Sequence, residues 1–383
     1  MRVLAVTNPA EGHFFPMVPF LWALRAAGHE VLVGAPENFL PEITAAGLSA
    51  VATAPPMDMT AVMRPDAGDD PPRQPPTERA ARQGTGQGFG RLAALTHTGV
   101  AELGAAWRPD VIVSETSAYA AAIAAARIDC PHVEFHWGIP LHPDVRQAAF
   151  HFLASQGLQP GPRWRSIGVC PPSFLRDRLI APDWAMKYVA YNGAARVPPH
   201  LLTRSGRRRV LVTLGTMLPR YGDVGTLVTD IVASLVERDL DVVVGMRGSD
   251  RAKLGDPTRL PLAVREAVWT PLSAIVGTCA AVVHHGGSGT TMTSLSFGVP
   301  QVAIPHFADQ FVNAEHLVAS GCGVQASSTT PGREIARLVE LVLNSPCYAD
   351  RASSIARDCH AQAAPTEVAS LLERSLMKGL SGV

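Results

Sequence analysis

The chain has 383 residues, with 33 Lys plus Arg against 33 Asp plus Glu, so its formal net charge at neutral pH is zero. Hydrophobic residues make up 47% and charged residues 17%, against about 25% charged in an average globular protein, which excludes wholesale disorder and supplies a sizeable core. The balanced charge argues against electrostatic capture of nucleic acid or an anionic membrane, and the length predicts two domains or one large one.

In chain order, the aliphatic run RVLAVT at 2–7 predicts a strand covered on both faces. A helix is expected over 17–27, with apolar Met17, Val18, Phe20, Leu21 and Leu24 and with Gly28 at its C-terminus, followed by a strand over Glu30–Val33. The stretch from Pro55 to Gly90 is rich in Pro, Gly, Asp and Arg and is expected to be one long irregular loop. A strand at Val111–Val113, a helix at Ala118–Ala126 and a strand near His132–Phe135 come next. Residues 137–180 are again expected to be irregular, carrying Trp137, Phe150, Phe152, Trp164 and Phe174. Both irregular segments are expected on one side of this half, walling a pocket for a bulky apolar ligand.

The chain then starts again: RVLVT at 209–213 repeats the opening run. Strands follow at Val210–Leu214, Asp241–Val244, Ala281–Val283 and Gln301–Ile304, with helical patterns over 224–237, 290–297 and 310–320. The twice-repeated alternation predicts an α/β fold of two doubly wound Rossmann-like domains. The first spans 1–195 and the second 206–364, with a C-terminal helix at about 365–383 packing back onto the first. The boundary falls between Ala190 and Ser205, where VPPH (197–200) interrupts periodicity. The basic run Arg207–Arg209 is expected to be a solvated strand edge. The six cysteines form no CxxC pair and read as core residues of a reducing compartment. With no signal peptide or membrane-length apolar run to read, the expectation is a cytoplasmic protein.

The chemistry concentrates at AVVHHGGSGTTMTSLSFG, residues 281–298. A buried strand runs into His284, His285, Gly286, Gly287, Ser288 and Gly289, and a helix opens near Thr290. Glycines admit close backbone approach, and unpaired N–H groups at a helix start favour an anion. His285 can donate an imidazole N–H to a phosphate oxygen. The spacing fits neither a Walker A loop nor a dinucleotide fingerprint. Upstream, Trp269 offers a stacking platform for a nucleobase; downstream, Asp309 and Gln310 suit paired hydrogen bonds to sugar hydroxyls. Base platform, diphosphate cradle and sugar acceptor together describe a nucleotide-sugar site.

This stretch resembles the donor signature of family 1 glycosyltransferases of the GT-B fold, most closely bacterial members that attach deoxysugars to natural products. The resemblance rests on WTP at 269–271, HHGGSGTT at 284–291, GVPQV at 298–302, ADQ at 308–310 and Asn313, with GHFFPMVPFLWALRAAGHEV at 12–31 matching the family's first loop and helix. It implies that His285 contacts the diphosphate, assisted by Thr216, Gly287, Ser288, Gly289 and Thr290. Trp269 would stack on the base, Val268 would offer its backbone to the base edge, and Asp309 and Gln310 would hold the sugar. Members that use uridine diphosphate sugars often carry Glu eight residues after the cradle histidine; here Thr293 stands there, which leans toward a dTDP-sugar.

His13 follows the first strand and is placed to face the cleft; imidazole is the side chain best matched to removing a proton at neutral pH, and the resemblance places the catalytic base here. Glu115, at the end of the strand beginning at Val111, is the candidate carboxylate to fix its tautomer. Glu11 is nearer in sequence but sits in a turn. The expected reaction is a single inverting displacement without metal or resident cofactor, between a nucleotide-sugar and a hydrophobic aglycone, by a monomer or homodimer. His132, Glu134 and His136 read as a strand, where their spacing does not make a helical ligand pair. The aglycone, the sugar and the atom glycosylated stay open at this level. So do two other readings, a sugar-nucleotide epimerase on the same fold and a non-catalytic helper.

Overall fold

The computed structural model describes residues 1–64, 77–175, 181–215, 225–246, 269–306 and 309–380. Two parallel sheets form the frame. The first comprises β1 (Arg2–Val6), β2 (Glu30–Pro36), β3 (Ser49–Ala54), β4 (Val111–Glu115), β5 (His132–His136), β6 (Arg165–Gly168) and β7 (Trp184–Ala185), in the order β3-β2-β1-β4-β5-β6-β7. The second comprises β8 (Arg209–Thr213), β9 (Asp241–Val244), β10 (Ala281–His284), β11 (Gln301–Ala303) and β12 (Gly323–Gln325), in the order β12-β11-β10-β8-β9. The central strands β1, β4 and β8 are aliphatic because helices cover both faces, and Val3, Leu4, Val111, Ile112, Val210 and Leu211 are fully buried.

The strand order decides where ligands can sit. In the first sheet the chain winds outward from β1 through β2 to β3, then returns to β4 on β1's other side. In the second it steps from β8 to β9, then returns to β10 on β8's other side. Each reversal opens a crevice at the carboxyl ends of the two central strands. His13 and Glu115 follow β1 and close β4; Gly215 and His285 follow β8 and β10.

The halves share apolar packing. Met292, Leu295 and Leu317 belong to the same buried cluster as Val3, Phe14 and Val33. The helix Pro365–Leu380 lies against the helix Val18–Ala26, with Val368, Ala369 and Leu372 buried in that cluster. Lys187 N–H donates to Ala363 O at 2.8 Å, pinning the segment after β7 beside this C-terminal helix.

Three expectations need correction. The irregular loop at 55–90 contains the helix Met59–Met63 and, from Glu78, a helix that runs 30 residues to Trp107. Gly84, Gly86, Gly88 and Gly90 read as breakers, but three of them are packing residues, Gly88 against Met63 and the other two against a second helix. A Cβ on Gly86 would lie 2.3 Å from Val145 O, and one on Gly90 would lie 2.8 Å from Phe152 Cδ1, so their absence lets the helix Pro143–Ser155 close against this one. Residues 137–180 hold that helix and β6, so they are not irregular throughout. Arg209 is not a solvated edge: it is 4% exposed, bonded to Asp241 at 2.8 Å and to the carbonyls of His200, Leu201 and Thr203. Its guanidinium fork satisfies the turn that leads into β8, while Arg207 and Arg208 do face solvent. β3, β12 and the helices Gly332–Asn344 and Pro346–His360 lie where no element was expected.

Among the described residues no helix is long and apolar enough to cross a membrane. All six cysteines are free; only Cys347 is exposed.

Candidate active site

His13 sits in a one-turn helix, Glu11–Phe14, begun by the turn after β1. Its side chain is 16% exposed, and Nδ1 lies 3.2 Å from Glu115 Oε1. Glu115 is held in turn. Its oxygens accept the Ser117 N–H at 2.6 Å, the Ser117 hydroxyl at 2.9 Å and the Asn8 N–H at 3.4 Å. It does not cap the following helix, Tyr119–Arg127, whose N-cap is Ala118 without a side-chain bond. With Nδ1 turned to the carboxylate, Nε2 is the ring nitrogen left to take a proton. Trp137 lies 4.1 Å from the imidazole, tilted by 35°, and Phe89 lies 5.9 Å away, edge-on. Phe89 and Ser117 went unmarked in the sequence, whereas Trp137 was expected among the aromatics of a pocket wall. A lone serine two residues after a strand-end carboxylate carries no motif, and Phe89 fell inside the expected loop.

The second half faces this group. Gly138, next to Trp137, meets the donor helix Ser288–Ser296: a Cβ there would stand 3.3 Å from Ser288 Cβ. Gly287 caps that helix with φ −63° and ψ 142° and no side-chain bond, so the first-turn N–H groups have no side-chain cap. The His285 imidazole sits between two glycines. A Cβ on Gly215 would be 2.4 Å from its Cε1, and one on Gly287 would be 2.3 Å from its Nε2. Nδ1 is buried without a hydrogen-bond partner among the described residues. Burial, with the neighbouring His284 and His306 adding to it, pushes His285 down to about 3, so the ring is neutral at ordinary pH.

Asp309 opens the helix Asp309–Ala319, and its Oδ2 accepts from Ser288 Oγ at 2.9 Å. Burial holds this carboxyl above the usual carboxylate range, against the Ser288 hydrogen bond and the charge of His13. Asn313 Nδ2 donates to Gly286 O at 2.8 Å and to Ser288 Oγ at 3.0 Å, locking the glycine turn to this second helix. Gln310 is 3% exposed, and its Oε1 accepts the His306 N–H at 2.9 Å, so it backs the site. Trp269 is half-buried beside Gly193 and Phe15. Gly289 is half-buried and Thr290 is 8% exposed in the first turn of the donor helix. Thr216 and Val268 lie outside the described residues.

Thr293 stands eight residues after His285. It is fully buried, and its hydroxyl is bonded to Tyr188 Oη at 3.1 Å and to Asn192 Nδ2 at 3.2 Å. That side chain turns into the segment joining the halves.

Two doubly wound domains, each with a switch-point crevice and with a histidine–carboxylate pair opposite a glycine-turn helix, define a glycosyltransferase of the GT-B fold. A solved glycosyltransferase, SsfS6 of Streptomyces sp. SF2575 complexed with thymidine diphosphate, superposes with a TM-score of 0.84 at 32% identity, covering 98% of this chain and 99% of that one. The chain belongs to the erythromycin biosynthesis protein CIII-like family, whose N-terminal domain model matches residues 22–215 and whose C-terminal domain model matches 229–374. Among its relatives, the L-demethylnoviosyl transferase of Streptomyces niveus is 41% identical over 337 residues, 86% of each chain. The elloramycin glycosyltransferase ElmGT of Streptomyces olivaceus is 34% identical over 97% of each.

Proposed function

We propose that the chain transfers a deoxysugar from thymidine diphosphate to an apolar, aromatic or polyketide acceptor in antibiotic or other secondary-metabolite biosynthesis. The observation that carries this reading is the His13–Glu115 pair at 3.2 Å, set opposite the uncapped start of the donor helix. The thymidine diphosphate in the SsfS6 complex supports the donor, and the antibiotic glycosyltransferases among the relatives support the acceptor class.

In this reading residues 1–195 hold the acceptor, 206–364 hold the donor, and the C-terminal helix belongs with the first unit. His13 removes the acceptor hydroxyl proton as the oxygen attacks the anomeric carbon from the face opposite the phosphate. The C–O bond to phosphate breaks, its electrons leave with the nucleoside diphosphate, and the configuration inverts. Glu115 holds the imidazole tautomer and offsets the imidazolium charge. Gly287, Ser288, Gly289 and Thr290 present the helix start to the diphosphate, joined by a neutral His285 and by Thr216. A well-placed, partly buried helix end contributes up to about 2 kcal/mol toward such charge, and the reading assigns no metal a part. Trp269 and Val268 hold the base. Asp309 takes the sugar hydroxyls, with Gln310 bracing the loop before it.

The test is His13→Ala. Transfer to the acceptor should vanish while calorimetry still shows thymidine diphosphate bound. Undiminished turnover by that variant rejects the assigned base.

A further inference from the structure

The mechanism leaves unused a second buried carboxylate, Glu134. It stands on β5, 4% exposed, among charged and polar neighbours drawn from three other parts of the fold. The Thr116 hydroxyl donates to its Oε1 at 2.9 Å, and His136 Nε2 lies 3.1 Å from the same oxygen. Arg146, from the helix Pro143–Ser155, bonds Oε2, and Arg163 lies 3.9 Å from Oε1. His132, on the same face of β5, is bonded to Ser114 instead, at 2.9 Å. Burial alone would raise this carboxyl; the His136 contact and the Arg146 and Arg163 charges bring it down to about 2, so it is ionised throughout the working range.

What Glu134 touches matters more than its charge. Thr116 lies between Glu115 and Ser117, the two residues within hydrogen-bond reach of His13 Nδ1. His136 immediately precedes Trp137, whose ring lies 4.1 Å from the His13 imidazole. One carboxylate thus grips, at one remove, both the hydrogen-bonding and the stacking side of the candidate base.

We propose that Glu134 is a positioning residue for His13: by bonding Thr116 and standing as the close charge partner of His136 it holds the loop 115–117 and the residue pair 136–137 in mutual register. This rests on the reading of His13 as the base. Arg146 is then the counter-charge that lets the carboxylate stay ionised in the interior, and it touches no part of the reaction.

The test compares Glu134→Gln, which keeps the shape and loses the charge, with Thr116→Val, which removes only the hydroxyl link. Both are measured for kcat, for donor KM, for thymidine diphosphate affinity and for the pH profile of kcat. Glu134→Gln should lower kcat by about tenfold or more, since an ill-placed base costs rate and not donor binding. Thymidine diphosphate affinity should stay within about twofold, and the acid limb of the profile should move to lower pH as the imidazolium loses its fixed partner. Thr116→Val, nearly isosteric, should lower kcat in the same sense by less, and it keeps the proposal open to refutation if the glutamine variant does not fold. Unchanged kcat and pH profile in either folded variant overturns the proposal, as does a loss of nucleotide affinity that matches the loss of rate. If His13→Ala is itself fully active, the functional reading fails. If that variant is dead and Glu134→Gln is normal, only the positioning role fails.

Discussion

Gly287→Ala isolates one contact in the crevice proposed for the donor. The backbone at Gly287 has φ −63°, a value any residue adopts, so alanine adds no strain of its own there. Its methyl would arrive 2.3 Å from His285 Nε2, where ordinary contact begins at about 3.4 Å, so the ring must move by about 1 Å. On its other side Gly215 already lies against the same ring, which blocks simple retreat. A shift of that size takes an N–H out of hydrogen-bond range of a phosphate oxygen. Losing a hydrogen bond to a charged group costs about 1.5–3 kcal/mol, which is roughly a 10- to 150-fold weaker thymidine diphosphate complex. Calorimetry on Gly287→Ala, His285→Ala and the double variant decides the cause. If the methyl acts through the ring, the double variant should bind no worse than His285→Ala alone. Fully additive losses, or affinity within twofold of the parent in Gly287→Ala, would refute the idea that the glycine exists to seat the imidazole.

Stability should fall steeply in mild acid. Burial holds His132 and His284 down at about 4 and His285 at about 3, from an unfolded value of 6.5. Each contributes stability that is complete above 6.5 and is lost as pH falls toward its folded value, by up to about 1.4 kcal/mol per pH unit per histidine. Urea midpoints measured from pH 7 to 4 should drop accordingly, and His132→Asn should flatten the slope; a flat parent curve contradicts the burial argument. Glu134 works lower down, its contribution being complete above 4.5 and lost only toward about 2, so Glu134→Gln should leave the slope between pH 7 and 5 unaltered. Glycines of the long helix Glu78–Trp107 should separate by packing. Gly84→Ala meets nothing within 4 Å and should stabilise by up to about 1 kcal/mol through helix propensity. Gly86→Ala drives a methyl to 2.3 Å from Val145 O and should destabilise by about 1–3 kcal/mol in thermal unfolding. Equal shifts for the two would show that the helix pair is not packed as described.

Much of the frame was readable because a strand covered on both faces must be aliphatic throughout, as RVLAVT and RVLVT are. The glycine turn after β10 was equally plain, since close backbone approach and an uncapped helix start demand that composition. The long helix was not, because a glycine that breaks an isolated helix and one that lets two helices touch are the same letter. Only the partner helix distinguishes Gly86 from Gly84. Arg209 was misread for a related cause. Local chemistry marks it as a surface charge, whereas a partner distant in sequence, Asp241, takes it inside.

The alternation of strands and helices, the class of fold, the residue types around each crevice and the candidacy of Glu115 as partner to His13 followed from the chain, because hydrophobic period and turn chemistry act over a few neighbouring positions and set both residues at strand ends. The seating of His285 between Gly215 and Gly287, and the burial of Glu134 behind the His13–Glu115 pair, did not. Those depend on which strands lie side by side where each sheet reverses, and adjacency of that kind arises only when the whole core closes.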